Sequence, residues 1–286
     1  MAAARRALVI GCGYLGTRAG EILALRGFRV TGTTRRPERF AEIEARGLQP
    51  ALLDLEAPGK SDVWSGEYDA VLHCAAPRGE NARAVFQDGM LDAARRVAFR
   101  PDAPRHAFVY ASSTGVHAER NGSPIDEESP ANPVEERHRI LREAEEALLG
   151  LTGSGTLPAI VLRFAGLYGP GRSPVEWLRR AEMRERLLRG RGEAFLNWVR
   201  IEDAAEAAVL AIERGRPGEA YIISDGSPVR RADFYAAAAR AGGMDPPRFE
   251  GKDDDLGKRC SNAKARRELG FEPRFPSYRE GLADLA

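Results

Sequence analysis

The chain has 286 residues, 43% of them hydrophobic and 30% charged, with a formal net charge of +1. That length can bury a full core in one large or two modest domains, and the composition is that of a globular protein in water. The near-zero charge gives nucleic acid or a membrane surface no electrostatic hold, and no apolar run approaches the roughly 18–20 residues that span a bilayer.

The opening MAAARRALVIG carries two arginines, but its apolar run is too short for a signal-peptide core. Three widely separated cysteines, Cys12, Cys74 and Cys260, form neither a disulfide framework nor a zinc pattern, so a cytoplasmic compartment and no metal are expected. In chain order, residues 7–10 form a short apolar strand. Leu15, Ala19, Ile22 and Leu23 then make one helical stripe within 14–26. Gly27 stops that helix, and FRVTGT (28–33) is the next strand. Helix 37–46, strands 49–53 and 70–74, helix 82–97 and strand 106–111 follow. NPVEERHRILREAEEALL (132–149) is a charged helix. Asn132 is placed to cap it, with Pro133 at the first position and Glu135 three residues on, as in a capping box. Its buried stripe is Ile140, Leu141, Ala144, Ala147 and Leu148, and strand 159–164 comes next.

Repeated strand–helix units predict an α/β fold, a Rossmann-type doubly wound parallel sheet covered on both faces. Beyond Gly166 the alternation breaks into a loop, a basic helix (175–189), a helix from Asp203 to Arg214 with Asp203 as cap, a short strand (220–224) and a helix at 231–241. The expected division is a dinucleotide-binding domain, 1–165, and a small interleaved α+β substrate lobe, 166–286.

Gly11-Cys12-Gly13-Tyr14-Leu15-Gly16 is a GxGxxG between a strand and a helix, the context that gives that pattern meaning. Gly11 permits the turn, Gly13 lets a diphosphate approach the backbone, and Gly16 lets helix and strand pack. After the second strand an NAD site places Asp or Glu for the ribose hydroxyls. Here Thr33-Thr34-Arg35-Arg36 stands instead. Arginine pairs with an extra phosphate that a carboxylate would repel, so NADP, with NADPH preferred over NADH, is the expected cofactor.

The glycine loop, LDL (53–55), HCAA (73–76), VYASSTGV (109–116), RFAGLYGPGR (163–172), VRIEDAAEAA (199–208) and SNAKARRELGFEP (261–273) together resemble the extended short-chain dehydrogenase/reductases. That is the NAD(P)-dependent epimerase/dehydratase superfamily. The resemblance covers nearly the whole chain. It implies that Tyr14 and Leu15 lie beside the pyrophosphate and that Asp54 and Leu55 contact the adenine. It further implies that Ala75, Ala76 and Pro77 pass along the ribose, that Ser112 and Phe164 belong to the cofactor site, and that Ser113 bonds a substrate oxygen.

Where the family carries YxxxK, anchoring on Ala144, Glu145 and Leu148 places Arg137 and Leu141. No Tyr or Lys occurs anywhere in 132–149, so the chain resembles an atypical branch of the family. Asp88 stands near a position where the family often has Asn. Candidates for the missing proton donor are His138 beside the vacant position, Tyr168 if Arg163 or Arg137 lowered its pKa, and His117 on a pocket loop. Arg137 would act as an electrostatic clamp. The basic segment 179–191 is either a phosphate clamp or a solvated face.

Two functions follow. One is an oxidoreductase or epimerase-like enzyme on a small polar carbonyl or hydroxyl compound, nucleotide sugars being a less favoured variant. The other is a non-catalytic NADP(H)-binding sensor or scaffold. Nucleic acid and membrane partners are not expected, and a homodimer through helices 82–97 and 134–149 stays open.

Overall fold

Parallel strands with no polar alternation need cover on both faces, and this chain supplies it. A computed structural model describes residues 4–57, 59, 61–77, 81–180, 190–252 and 255–285. Its main elements are β1 (Arg5–Ile10), α1 (Tyr14–Leu25), β2 (Phe28–Thr34), α2 (Phe40–Glu44), β3 (Gln49–Leu52), β4 (Ala70–His73), α3 (Gly89–Arg96), β5 (Ala107–Ser113), α4 (Glu136–Gly153), β6 (Ala159–Phe164) and β7 (Ala220–Ile223). Seven strands form one parallel sheet in the order β7-β6-β5-β4-β1-β2-β3. Every residue of β4 and β6 is buried.

The pleat sends neighbouring side chains to opposite faces. Leu8 and Ile10 of β1, Val71 of β4, and Phe108 and Tyr110 of β5 join Met90 and Ala93 of α3 and Ile140, Leu141, Ala144 and Leu148 of α4 in one cluster. Val9 faces the other way, onto α1, where its Cγ1 is 3.2 Å from a Cβ built on Gly16.

Register sets the position of the site. Ile10 pairs with His73, and His73 with Tyr110, so the carboxyl ends of β1, β4 and β5 reach one edge together. The strand order reverses between β1 and β4, the switch point where open α/β sheets hold their ligands.

The chain divides into two compact units: Met1–Val116, Ala131–Arg163 and Ala205–Tyr221 form the first, and His117–Pro130, Phe164–Ala204 and Ile222–Ala286 the second. A single cut at 165 therefore does not describe the division. Residues 117–130 cluster with the second unit, and residues 205–221 with the first. In the second unit Tyr168, Trp198, Phe234 and Tyr278 build an aromatic core, with Trp198 stacked on Phe234 at 4.7 Å between ring centroids. The buried Arg200 pairs with Glu202 at 3.1 Å and Asp284 at 2.6 Å.

Some local expectations change. The helix expected over 132–149 begins at Glu136, with Glu135 as its extended N-cap residue. The first helical carbonyl is Glu135's, which accepts from the amides of His138 and Arg139, both at 3.0 Å; Asn132 and Pro133 precede the helix. Asp203 does not cap: it lies inside a helix that starts at Ile201. Its carboxylate accepts from the Arg274 and Phe275 amides at 2.8 and 3.0 Å. The helix expected at 82–97 contains a π-helical turn, Ala84–Asp88, just before α3. The basic helix is described over Pro174–Arg179; residues 181–189, most of the proposed phosphate clamp, lie outside the described residues.

Candidate active site

Three glycines answer to three different constraints after β1. Gly11 has φ +92°, and a Cβ there would stand 2.7 Å from the Ala75 backbone. At Gly16 a Cβ would meet the Gly11 carbonyl oxygen at 2.2 Å, whereas at Gly13 it would meet nothing within 4 Å. The first glycine thus seats the loop against Ala75, the third closes the loop on itself, and the second opens it outward. Thr33 pins the loop: its Oγ1 accepts from the Gly11 amide at 2.9 Å and its carbonyl from the Cys12 amide at 2.8 Å.

The first intrahelical bond of α1 runs from Thr17 to Gly13, so the amides of Tyr14, Leu15 and Gly16 precede it. The first turn carries no acid. This is a cradle for an anion at a positive helix end, and it fits a dinucleotide's diphosphate. The Leu15 side chain is buried, so its backbone is what it can offer. Ala75 follows directly from β4 and forms the wall against Gly11. Ala76 is exposed and Pro77 half-buried.

At the end of β2, Thr34 is buried and its Oγ1 accepts from the Arg36 amide at 3.2 Å. Arg35 and Arg36 are exposed, each with a loose ion pair: Arg35 to Glu56 at 3.8 Å, Arg36 to Glu38 at 4.0 Å. Exposed pairs of this kind are weak, so both guanidiniums can turn to a phosphate. Arg39, not anticipated from the sequence, donates to the Cys12 carbonyl in the glycine loop and holds Glu42 at 2.7 Å. Asp54 accepts from the Glu56 amide at 3.0 Å. The Leu55 side chain joins the core cluster, which leaves only its backbone for an adenine.

The chemistry-bearing groups gather where β5 ends. Ser113 is half-buried, and its Oγ accepts from the Gly115 amide at 3.0 Å, leaving the hydroxyl proton to donate. His138, in the first turn of α4, packs on the same glycine. A Cβ on Gly115 would lie 2.2 Å from His138 Nε2, 2.4 Å from Cδ2 and 2.6 Å from Cε1. His138 Nδ1 lies 3.3 Å from Glu135 Oε2. One missing side chain therefore admits an imidazole next to the serine turn, although 25 positions separate Ser113 from His138.

Other expected donors are placed differently. Tyr168 is 1% exposed, and a Cβ on Gly281 would stand 1.8 Å from its hydroxyl oxygen. Burial pushes that phenol up rather than down. Arg163, expected to lower it, is held by Glu145 at 2.9 Å. Tyr168 is a packing aromatic. Arg137 lays its guanidinium over the Phe86 ring, 4.7 Å from the centroid, so its charge faces an aromatic rather than a substrate oxygen.

Ser112 is also corrected, because its hydroxyl donates to the fully buried Glu145 at 2.6 Å. It braces β5 against α4 and does not reach outward to a cofactor. His117 is 2% exposed, with Nδ1 3.3 Å from the Pro130 carbonyl. Phe164 is buried. Asp88 is exposed, unlike a structural Asn. Leu141, at the lysine position, is 3% exposed in the core. The sequence contained the Glu135–His138 signal as an i, i+3 spacing, but the capping-box pattern gave Glu135 another role.

Among the described residues no cluster of three or more His, Cys, Asp or Glu could hold a metal, and no helix is long and apolar enough to cross a membrane. Residues 7–224 match the model of the NAD dependent epimerase/dehydratase family. Protein YeeZ of Escherichia coli K12 is 30% identical over 284 residues, covering 95% of this chain and 97% of that protein. The 3-diazoavenalumate denitrifying reductase of a Streptomyces species is 27% identical, covering 97% and 99%. A solved structure of a functionally unknown conserved protein from Silicibacter pomeroyi superimposes with a TM-score of 0.79 at 29% identity, covering 98% of each chain. With the glycine cradle, the switch-point sheet and a match over most of its length, the chain belongs to the NAD dependent epimerase/dehydratase family, whose chemistry is NAD(P)-dependent oxidoreduction or epimerisation.

Proposed function

We propose that the protein is an NADP(H)-dependent oxidoreductase or epimerase-like enzyme acting on a small polar carbonyl or hydroxyl compound. In this reading His138 does the work of the missing tyrosine. The observation that carries it is the shared seat on Gly115, whose amide fixes Ser113 Oγ and whose bare Cα admits the His138 ring.

Bound nicotinamide would supply or accept the hydride. Ser113 donates its hydroxyl proton to the reacting oxygen and orients it. His138 takes the substrate hydroxyl proton at Nε2 in oxidation and returns one there in reduction. The Gly13 cradle receives the diphosphate, and Arg35 and Arg36 receive the extra phosphate of NADP.

One observation favours the second reading, a non-catalytic NADP(H) sensor. Leu141 is buried where the family has a lysine, so no cation there holds the nicotinamide ribose. Calorimetry and turnover separate the two. The enzyme reading expects NADPH to bind about tenfold or more tighter than NADH, a difference of ~1.4 kcal/mol. It also expects NADPH oxidation with at least one member of a panel of aldehydes, ketones and nucleotide sugars. Ser113→Ala should abolish most of that turnover and leave NADPH affinity unchanged. Tight binding with no turnover across the panel would instead establish the sensor, and equal affinity for both nucleotides would remove the NADP preference.

A further inference from the structure

We propose that Arg39 is a positioning residue for the glycine loop: it holds the peptide that leads into Gly13, so that it governs the grip on the cofactor diphosphate and takes no part in reading the extra phosphate. This rests on the dinucleotide reading for what the loop receives.

Three arginines follow β2, and their surroundings differ. The side chains of Arg35 and Arg36 are 47% and 44% exposed, with ion pairs at 3.8 and 4.0 Å. That of Arg39 is 19% exposed and held along two edges. Its Nε and Nη2 donate side by side to Glu42 at 2.9 and 2.7 Å, and its Nη1 donates to the Cys12 carbonyl, 27 positions back. A guanidinium paired in this way is a fixed bracket rather than a charge ready to turn to a ligand. It stands at the end of the Pro37–Arg39 turn, where α2 begins.

What it holds is one planar group. The Cys12 carbonyl and the Gly13 N–H belong to the same peptide. That N–H donates to the Gly11 carbonyl at 2.8 Å, a bond across a single residue, and Arg39 fixes the opposite edge. Upstream, Thr33 pins the Gly11 and Cys12 amides. Downstream, the Gly13 carbonyl accepts from the Thr17 amide at 3.1 Å. Gly13 brings no side chain to the packing, and glycine has the backbone that turns most freely. Its φ of −94° and ψ of −152° are therefore set by the peptides on either side. Those angles aim the amides of Tyr14, Leu15 and Gly16 at the diphosphate. A loop already in its binding shape spares the nucleotide the cost of ordering it.

Deleting Arg39 alone would leave the Glu42 carboxylate unpaired, close enough to Arg36 to feel its charge, where it would repel a phosphate. The test therefore compares Arg39→Met/Glu42→Gln with Glu42→Gln, in which the amide oxygen still accepts from Arg39. Calorimetry uses three ligands: NADPH, NADH and 2′-AMP, which carries the ribose phosphate and no diphosphate. The double variant should bind NADPH and NADH each about tenfold more weakly than Glu42→Gln, and 2′-AMP equally well. Arg35→Ala should do the reverse, losing NADPH and 2′-AMP while keeping NADH. A loss confined to NADPH and 2′-AMP in the double variant would make Arg39 a phosphate ligand and overturn the proposal. Unchanged affinity for all three overturns it as well.

Loop order is read without any nucleotide. Hydrogen exchange of the free full chain, followed by mass spectrometry, should run about tenfold faster over 12–16 in the double variant than in Glu42→Gln, with β4 unchanged. Equal exchange over 12–16 overturns the bracing role. A wild type that binds neither pyridine nucleotide sinks the cofactor reading, while exchange still decides for or against Arg39.

Discussion

Gly13 and Gly16 lie three residues apart under opposite constraints, and alanine separates them. A methyl at Gly16 would sit 2.2 Å from the Gly11 carbonyl, so Gly16→Ala must distort the loop and should lower both melting temperature and dinucleotide affinity. A methyl at Gly13 meets nothing within 4 Å in the protein, only the path of the diphosphate. Gly13→Ala should therefore melt close to the wild type yet bind NADPH about tenfold or more weakly, a loss of ~1.4 kcal/mol. Calorimetry and thermal melts on the same samples check both; an unchanged NADPH affinity in Gly13→Ala would remove the cradle.

Asp225 supplies a second prediction at this scale. It is 4% exposed, its Oδ1 accepts from the Ser227 amide at 2.8 Å, and burial pushes its carboxyl up to about 7. A raised folded-state pKa means stability that is fully present below the unfolded value near 4 and lost as pH rises through about 7. Asp225→Asn does not titrate. Its denaturant midpoint relative to the wild type should climb from pH 4 to pH 7 and then level off, with a ceiling of roughly 4 kcal/mol. His73 acts in the opposite sense. Burial lowers its pKa from 6.5 to about 4, so stability present above 6.5 is lost as pH falls through about 4. A difference between Asp225→Asn and wild type that is flat in pH would refute the buried acid.

At the scale of elements, Glu145 joins three of them. Fully buried on α4, it accepts from Ser112 on β5 at 2.6 Å and from Arg163 on β6 at 2.9 Å, while Arg142 on its own helix reaches it at 3.3 Å. Removing one partner of a buried pair strands the other charge. Glu145→Ala should cost about 3–5 kcal/mol in chemical denaturation, and a loss below about 1 kcal/mol, the range of an exposed pair, would show that water reaches the site.

Elements also show how far the sequence could be read. Short apolar runs located the strands of the sheet and period-3.6 patterns its helices, because strands covered on both faces are apolar throughout while a helix buries one stripe. The start of α4 was misplaced because a capping-box pattern matched at Asn132, while the first helical bonds close on Glu135. Ser112 and Tyr168 were misassigned for a different reason. Their hydroxyls are committed or enclosed by Glu145 and Gly281, residues distant in sequence that no local pattern brings near.

For the whole molecule, the family assignment makes cofactor linkage the decisive global measurement. A ligand that binds only the folded chain stabilises it by about 2.7 kcal/mol at a hundred times Kd. For a chain of this size that corresponds to a melting shift of roughly 5–10 °C. NADPH should produce such a shift, and NADH should need a concentration about tenfold higher for the same effect. A melting temperature indifferent to both nucleotides would refute dinucleotide binding by the folded protein.

What the sequence determined alone was the βα alternation, the glycine loop in its strand–helix setting, the arginines after the second strand and the lack of a tyrosine and lysine on the following helix. These are local patterns, fixed by side-chain period and backbone permissiveness, and they survive without knowledge of neighbours. What only the tertiary structure decided was which groups meet. A carboxylate at 135, an imidazole at 138, a glycine at 115 and a serine at 113 come together because β5 and α4 pack against each other. Contact across 25 positions depends on that packing, and packing is a property of the folded chain.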